Sequence, residues 1–139
     1  MLTNNEKETL VKAALKARES SYSPYSKFAV GAALLTEGGD IYTGANIESA
    51  SYTPTVCAER VAFFSAVHKG ERSFRAIAIV GGKRECEIDS LCAPCGVCRQ
   101  VMSEFADSDF EILLFDGKEI KSYTLGELMP LVFDKNNLT

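Results

Sequence analysis

The sequence predicts an α/β protein, a three-layer α/β/α sandwich around a mixed five-stranded sheet. Helix-like and strand-like segments alternate in the order α-β-β-α-β-α-β-β-α, which is typical of this class. The run from Phe74 to Val80 is almost wholly apolar and ends at two glycines, as a strand buried on both faces does. With 139 residues, 46% of them hydrophobic, the chain suffices for one compact domain, residues 1–139.

The N-terminal part predicts a helix followed by a hairpin. Residues 5–19 place apolar side chains on one face and acidic residues in the first turn, and Thr3 or Asn4 can cap this helix. A polar break follows. Residues 28–35 and 41–44 then flank a Glu-Gly-Gly-Asp turn, which predicts a β-hairpin.

Two further helices are predicted after this hairpin. The second helix is expected from about position 54 or 55 to Lys69, because Pro54 suits a first helical turn and Gly70 is a common stop. It precedes the buried strand, which suggests a crossover unit. Pro94 then leads a third helix over about residues 95–106.

The C-terminal part predicts a second pair of strands and a short helix. Residues 110–115 and 119–123 are strand-like and flank an Asp-Gly turn. The stretch Thr124-Leu125-Gly126-Glu127 matches a capping box, so a short last helix is expected to end near Pro130.

Composition and charge argue against several functions. The formal charge is −4, from 19 acidic and 15 basic residues, and no basic cluster follows one face, so we expect no nucleic-acid partner. No apolar run reaches membrane-spanning length, and the N-terminus lacks the order of a signal peptide. Five cysteines favour metal binding in a reducing compartment, and the expected location is the cytoplasm.

Two short motifs supply metal-ligand chemistry, Cys57-Ala58-Glu59-Arg60 and Pro94-Cys95-Gly96-Val97-Cys98. Both lie at predicted helix starts, where the helix dipole favours thiolates. Three cysteine ligands would leave a zinc ion one open position for water, which is the pattern of a catalytic site. Glu59, an acid that is not itself a ligand, is the natural proton carrier beside that water.

The spacing of the first motif restricts where it can work. Residues two apart on an ideal helix point roughly 200° from each other, so Cys57 and Glu59 can share a site only at the first turn. Three thiolates on one Zn²⁺ also leave a net charge of −1. Arg60, three residues from Cys57, can offset this charge by donating hydrogen bonds to the sulfurs.

Other interpretations of the cysteines stay open from the pattern alone. A structural four-cysteine site could use Cys92 or Cys86, and Cys92 has metal-like spacing to Cys95. Cys95 and Cys98 could also form a redox pair, although that leaves the Cys57 motif unexplained. A non-catalytic zinc-binding module is the alternative to an enzyme. His68, the one histidine in the chain, is expected merely to end the second helix.

Several further motifs accompany the cysteines in one register: Tyr22-Ser23-Pro24-Tyr25-Ser26-Lys27-Phe28, Gly31-Ala32-Ala33-Leu34, Asn46-Ile47-Glu48, residues 94–100, and Leu128-Met129-Pro130 with Phe133. Together they resemble the small homotetrameric cytidine deaminases, zinc-dependent enzymes of pyrimidine salvage, from the first helix to Phe133. Cysteine at position 57, where the family's dimeric branch has histidine, places the resemblance with the three-cysteine branch.

The resemblance implies a role for each matching residue. It implies one Zn²⁺ per chain on the cysteine triad and Glu59 as the proton shuttle. It implies that Asn46 and Glu48 hold the ribose hydroxyls. The remaining residues expected to contact substrate are Phe28, which would pack on the nucleoside, Ala58 through its backbone, and Phe133 from a neighbouring subunit of a homotetramer.

The activity implied is hydrolytic deamination of cytidine or 2′-deoxycytidine to uridine or 2′-deoxyuridine, with release of ammonia. Glu59 would move one proton to N3 of the cytosine ring and then a second proton to the departing amine. A related enzyme for another aminopyrimidine nucleoside, such as blasticidin S deaminase, is the second possibility. The segment 83–90 is longer and more charged than the family pattern, which leaves access on that side open.

Overall fold

The computed structural model describes residues 1–138, and the order of its main elements is the one that the sequence predicts. The helices are α1 (Asn4–Arg18), α2 (Ala58–His68), α3 (Gly96–Phe105) and α4 (Leu125–Leu128). The strands are β1 (Phe28–Thr36), β2 (Ile41–Ala45), β3 (Phe74–Lys83), β4 (Glu111–Phe115) and β5 (Ile120–Thr124). A short 3₁₀ turn, Lys135–Asn137, follows α4 and has no counterpart in the sequence prediction.

The five strands form one mixed sheet in the order β2-β1-β3-β4-β5, which confirms the predicted architecture. Strand β1 runs antiparallel to β2 and β3, and β4 runs antiparallel to β5. Strands β3 and β4 are parallel, with Ile77 paired to Ile112. Parallel neighbours need a crossover, and α3 supplies it.

Alternate residues of the sheet pack against helices on its two faces. Ala33, Ala78 and Leu113 point to the face covered by α1, and a cluster that includes Leu10 and Ala14 fills this layer. The residues between them in each strand contribute to the other layer, against α2 and α3: Ala32, Leu34, Ile77, Ile79, Ile112 and Leu114. The alternation follows from the two-residue period of a strand, and it produces the three layers.

Close helix packing at one glycine fixes where α2 begins relative to the sheet. A Cβ atom added to Gly44 of β2 would lie 2.5 Å from the Ala58 carbonyl oxygen and 2.6 Å from the Ala62 nitrogen. Only glycine lets the first turn of α2 approach this closely. The N-terminus of α2 is therefore held against the edge strand.

The start of α2 differs from the prediction. The helix begins at Ala58 rather than at position 54 or 55, because Val56 is paired with Ile47 in an isolated antiparallel bridge. The two residues exchange backbone hydrogen bonds of 3.0 and 2.9 Å. This pairing extends the chain up to Cys57, which becomes the N-cap residue. Among the described residues, no helix is long and apolar enough to cross a membrane.

Candidate metal centre and active site

Two helix N-termini carry the three cysteines of the predicted site. Cys57 caps α2 and Cys95 caps α3, each in extended backbone conformation with ψ of 154° and 167°. Cys98 lies in the first turn of α3 and is buried. Its backbone N–H donates to the Cys95 sulfur at 3.4 Å. Thiol groups at these positions meet the positive ends of two helix dipoles, which stabilise thiolates.

The three sulfurs converge on one point. The Sγ atoms of Cys57 and Cys95 are 3.7 Å apart, and all three sulfurs lie within 4.8 Å of one another. Zn–S bonds of about 2.3 Å in tetrahedral geometry place sulfurs about 3.8 Å apart, so the cluster fits a zinc ion with little adjustment. Three soft donors from one chain also match zinc chemically. This group is the one cluster of potential metal ligands among the described residues.

Hydrogen bonds within the cluster decide which thiol ionises first. Cys98 donates to Cys57, and the Arg60 side chain donates to the same sulfur at 3.6 Å. Together they lower the pKa of Cys57 to about 5, against the opposing effect of burial. The same hydrogen bond keeps the proton on Cys98 and raises its pKa. Arg60 thus lies where the sequence analysis placed it, beside the thiolate charge.

Glu59 is buried next to the cluster. The residue is 4% exposed, and burial is the main reason that its pKa rises to about 7. The Cys57 thiolate raises this pKa further, while hydrogen bonds to the carboxylate oppose the rise. A carboxyl group with a pKa near neutrality can both accept and return a proton at physiological pH. Because Glu59 stands in the first turn of α2, it shares a site with Cys57 despite their two-residue spacing.

The two remaining cysteines lie outside the cluster. Cys92 packs against Gly81, since a Cβ atom at that glycine would meet the Cys92 sulfur at 2.6 Å. Burial is the main cause of a raised Cys92 pKa of about 11, so this thiol stays protonated. Cys86 is exposed on the loop after β3. The four-cysteine alternatives therefore have no support in the described arrangement of sulfurs.

A second group of predicted residues surrounds Asn46. Its side-chain nitrogen donates to the Phe28 carbonyl at 2.8 Å, and its side-chain oxygen accepts from Ser21 Oγ at 2.5 Å and from the Val30 N–H at 2.9 Å. These bonds tie the start of β1 to the end of β2. The second hydrogen of the Asn46 side-chain NH₂ is not used in these bonds, so Asn46 can donate one hydrogen bond to a ligand.

Glu48 is held by the turn that precedes β1. The N–H groups of Tyr25 and Ser26 donate to one carboxylate oxygen at 3.0 and 3.1 Å, and the Ser26 hydroxyl donates to the other. The Ser26 hydroxyl is the main cause that keeps the pKa of Glu48 below its usual range. A cleft of about 230 Å³ opens beside this carboxylate, lined by Tyr25, Ser26, Ser49, Tyr52 and Thr55.

One bridge joins the two groups. Ile47 pairs antiparallel with Val56, and this register brings Asn46 level with Cys57 and Glu48 level with Thr55. The Ser49 N–H also donates to Thr55 Oγ1 at 3.0 Å. The metal cluster and the Asn46–Glu48 pair are therefore neighbours, although residues 46 and 57 are 11 positions apart in the sequence.

The other predicted contact residues differ in exposure. Phe28 is 40% exposed at the start of β1, whereas the Ala58 side chain is fully buried, which leaves Ala58 only its backbone for a ligand. Phe133 is 61% exposed, and its carbonyl accepts a hydrogen bond from Gln100 at 2.8 Å. The fold leaves Phe133 projecting outward rather than packed beneath α4.

The longer loop after β3 is fastened to α1. The Arg18 guanidinium donates to the carbonyls of Gly82, Lys83 and Cys86 at 2.6–3.1 Å. Helix α1 covers the face of the sheet opposite α2 and α3, so this contact draws the first part of the loop toward that face. The start of the loop is thus held in place by hydrogen bonds to α1.

A large groove on the described surface lies elsewhere. It has a volume of about 810 Å³ and is lined by residues such as Leu2, Phe74 and Glu111, at the end of the sheet where β3 begins. The cysteine cluster lies beyond the other end of β3, where the chain passes into α3. We assign the chemistry to the cluster, because the groove contains none of the predicted site residues.

The sequence analysis quoted Ser26 within a motif but gave it no role, and it did not name Ser21. Both bind the side chains of predicted site residues, Ser21 at Asn46 and Ser26 at Glu48. Serine in a Pro-containing turn is a signal for local side-chain hydrogen bonding. That signal could have singled out the two residues, but not the partners 25 and 22 positions away.

Comparisons with known proteins agree with this geometry. Residues 4–114 match the family model described as the cytidine and deoxycytidylate deaminase zinc-binding region. A cytidine deaminase of Sporosarcina psychrophila is 47% identical over 133 residues, covering 95% of this chain and 94% of the relative. A blasticidin-S deaminase of Bacillus cereus is 37% identical over 114 residues, covering 80% and 81%.

A solved structure gives the same result for the fold. The 1.6 Å crystal structure of a cytidine deaminase from Burkholderia pseudomallei superposes with a TM-score of 0.84. It is 43% identical, and the match covers 95% of this chain and all of that one. The fold, the zinc-binding region and the cysteine cluster thus point to one family.

Proposed function

Because the chain belongs to the cytidine and deoxycytidylate deaminase family, we propose that it hydrolyses the amino group of cytidine or 2′-deoxycytidine. The products are uridine or 2′-deoxyuridine and ammonia, and the reaction serves pyrimidine salvage. The Sporosarcina and Burkholderia relatives named as cytidine deaminases support this substrate class.

One observation carries the proposal. Three cysteine sulfurs within 4.8 Å of one another stand at two helix N-termini, and a buried glutamate with a raised pKa lies beside them. A closed structural zinc site would need a fourth protein ligand, and the described cysteines offer only three. The arrangement therefore supports a catalytic centre rather than a structural module.

The metal and the glutamate would divide the chemistry. When bound by Cys57, Cys95 and Cys98, zinc supplies a Lewis acid that makes water a nucleophile near neutral pH. Glu59 would accept a proton from the attacking water and deliver it to N3 of the cytosine ring. The same carboxyl group would then take a second proton, from the hydroxyl group added at C4, and pass it to the departing amine. Its burial keeps its pKa near 7, which suits both transfers.

Arg60 would hold the charge of the site in balance. Three thiolates carry one more negative charge than Zn²⁺ neutralises. This excess charge would weaken the polarisation of the bound water by the metal. The Arg60 guanidinium, 3.6 Å from the Cys57 sulfur, draws part of that charge away.

The group around Asn46 would bind the nucleoside. The free amide hydrogen of Asn46 and the ionised carboxylate of Glu48 are a donor and an acceptor suited to ribose hydroxyls. Phe28, exposed at the start of β1, offers a ring face for the nucleoside, and Ala58 offers backbone groups at the first turn of α2. The Ile47–Val56 bridge supports this role, since it keeps the ribose site beside the cluster.

We also infer a homotetramer of single-domain subunits. Exposed apolar side chains at Phe64, Val97 and Phe133 support burial against other copies of the chain. The exposure of Phe133 supports its contribution to a neighbour's site. The cytoplasm is the proposed location, because its reducing conditions keep the three thiols of the cluster available for zinc.

A spectroscopic assay with metal analysis tests the function. The purified protein should lower the ultraviolet absorbance of cytidine in step with ammonia release and should contain one zinc ion per chain. Assays with cytidine, 2′-deoxycytidine and blasticidin S separate the two kinds of deaminase found among the relatives. Zinc without turnover of any of the three would support the non-catalytic module instead.

A further inference from the structure

The Ser26 hydroxyl connects two residues that the proposed function assigns to substrate. It donates a hydrogen bond to one carboxylate oxygen of Glu48, the Oε2 atom, and accepts one from the Phe28 N–H at 3.0 Å. The serine itself is exposed and contributes little apolar packing. Its hydroxyl nevertheless bonds both the Glu48 carboxylate and the backbone of Phe28, two residues 20 positions apart in sequence.

The turn that carries Ser26 is held in a restricted conformation. Lys27 has a φ of 61°, in the left-handed region that residues other than glycine rarely adopt. Its N–H donates to the Ser23 carbonyl at 3.0 Å, and its own carbonyl accepts from the Arg84 N–H at 2.8 Å. These contacts fix the turn at both ends. The Ser26 hydroxyl is therefore presented to Glu48 in one orientation.

A count of hydrogen bonds shows what the carboxylate has left to offer. An ionised carboxylate accepts about four hydrogen bonds, two at each oxygen. The Oε1 atom of Glu48 is occupied by two backbone N–H groups, from Tyr25 and Ser26. The Oε2 atom has one partner among residues 1–138, the Ser26 hydroxyl. One acceptor position remains, and it is on Oε2.

We propose that Ser26 is a positioning residue for ribose recognition, which orients Glu48 so that its Oε2 atom accepts one ribose hydroxyl, and which couples that contact to Phe28. This inference rests on the proposed function. It predicts that Ser26 acts on ribose binding and not on the chemistry at the cysteine cluster. Loss of the hydroxyl frees Oε2 to rotate and removes the link between the Glu48 carboxylate and the Phe28 backbone.

The charged surroundings of Glu48 allow a pH test. Arg84, from the loop after β3, is the charged side chain whose field acts on this carboxylate, and it too favours the ionised form. The Ser26 hydroxyl contributes more to the lowered pKa of Glu48 than Arg84 does. Removing the hydroxyl raises that pKa, so the loss of ribose binding on acidification should begin at a higher pH.

The experiment compares Ser26→Ala with the zinc-loaded wild-type protein on two substrates. Cytidine carries the ribose hydroxyls, whereas 2′,3′-dideoxycytidine lacks both. We expect the ratio of kcat/KM values, cytidine over dideoxycytidine, to fall about tenfold in Ser26→Ala, mostly through KM. The pH below which this ratio falls should also move higher, because titration of Glu59 affects both substrates alike and cancels in the ratio. Ser26→Thr keeps the hydroxyl and should restore both properties.

Ser20→Ala is the matched control, because Ser20 is exposed on the same segment and the same atom is removed. A substrate ratio that is unchanged in Ser26→Ala, in its value and in its pH dependence, overturns the inference. An equal loss on both substrates also overturns it, because that result marks a merely structural role. If Ser26→Ala does not fold, Ser26→Cys, a weaker donor, should give a smaller fall in the ratio, and an unchanged ratio there counts against the inference. Failure of the wild-type protein to deaminate cytidine refutes the proposed function instead.

Discussion

The sulfur of Cys57 lies 3.7 Å from the sulfur of Cys95, 38 positions further along the chain. The contact arises because α2 and α3 pack on the same face of the sheet with their N-termini at the same end. Each cysteine is the last extended residue before its helix. The metal centre is therefore assembled by two helix caps rather than by one loop.

The first prediction concerns the identity of the metal ligands. Replacing Cys57, Cys95 or Cys98 by alanine should remove zinc, because each supplies one of three converging sulfurs. We expect one zinc per chain in the wild-type protein and close to none in these variants. Metal analysis of the purified proteins measures this directly.

Cys92→Ala and Cys86→Ala are the matched controls for that experiment. Both remove a thiol close in sequence to the cluster, yet neither thiol belongs to it, so zinc content should stay at one per chain. Loss of zinc in Cys92→Ala, with zinc retained in Cys57→Ala, would show a structural site and refute the catalytic interpretation.

The second prediction concerns Glu59. Glu59→Gln keeps the size of the side chain and leaves the three sulfurs in place, so the variant should fold and bind zinc. It cannot take up and return protons, and kcat should fall by at least about a hundredfold. Turnover and zinc content are measured on the same preparation. Near-normal turnover in a zinc-loaded variant would exclude Glu59 from the proton transfers.

The third prediction concerns stability and lies far from the site. Glu111 is 8% exposed and accepts hydrogen bonds from the Leu2 N–H at 3.3 Å and from Ser122 Oγ at 2.5 Å. Lys7 lies 3.4 Å from the same carboxylate. Burial alone would raise the pKa of Glu111, but these partners outweigh it and hold the pKa below its usual range.

The sign of the effect follows from that lowered pKa. The ionised Glu111 stabilises the fold above the ordinary glutamate value of 4.5, and this contribution is lost as the pH falls through the lower folded-state pKa. Glu111→Gln should lower the free energy of unfolding by about 1–2 kcal/mol at pH 7. The difference from the wild-type protein should narrow below pH 4.5.

Urea denaturation at several pH values measures both quantities. Glu8→Gln, an exposed residue of α1, is the control for loss of one negative charge and should change stability little. A Glu111→Gln difference that stays constant from pH 7 into the acid range would show that ionisation of Glu111 does not stabilise the fold.

Local patterns were sufficient to predict the elements and the cysteine cluster, because helix caps, strand periodicity and ligand spacing are written in short stretches. The boundary of α2 was predicted too early, since the Ile47–Val56 bridge that keeps the chain extended is a tertiary contact. The Ser26 hydrogen bond to Glu48 was not predicted either, because it too is a tertiary contact, between residues 22 positions apart. Neither contact has a periodic signal. The pKa of Glu59 likewise depends on burial by distant parts of the fold.

The last prediction is that Phe133 completes a neighbouring subunit's site. Phe133 lies two residues after Leu131, whose φ is 52°. The Phe133 side chain is 61% exposed in the single chain. The hydrogen bond from Gln100 to the Phe133 carbonyl anchors this segment to α3 and leaves the ring facing outward. An exposed aromatic ring on an anchored segment is suited to insertion into another copy of the chain.

Co-refolding two inactive variants tests this arrangement. Glu59→Gln retains Phe133, and Phe133→Ala retains Glu59. If the site is shared, some mixed oligomers pair an intact Glu59 with a neighbour's intact Phe133, so activity should exceed the weighted sum of the two variants alone. Mass measurement verifies that the chains have mixed. Activity equal to that sum, in verified mixed oligomers, would mean that Phe133 acts within its own chain or has no role in the reaction. In either case mixing would not combine an intact Glu59 and an intact Phe133 in one new site.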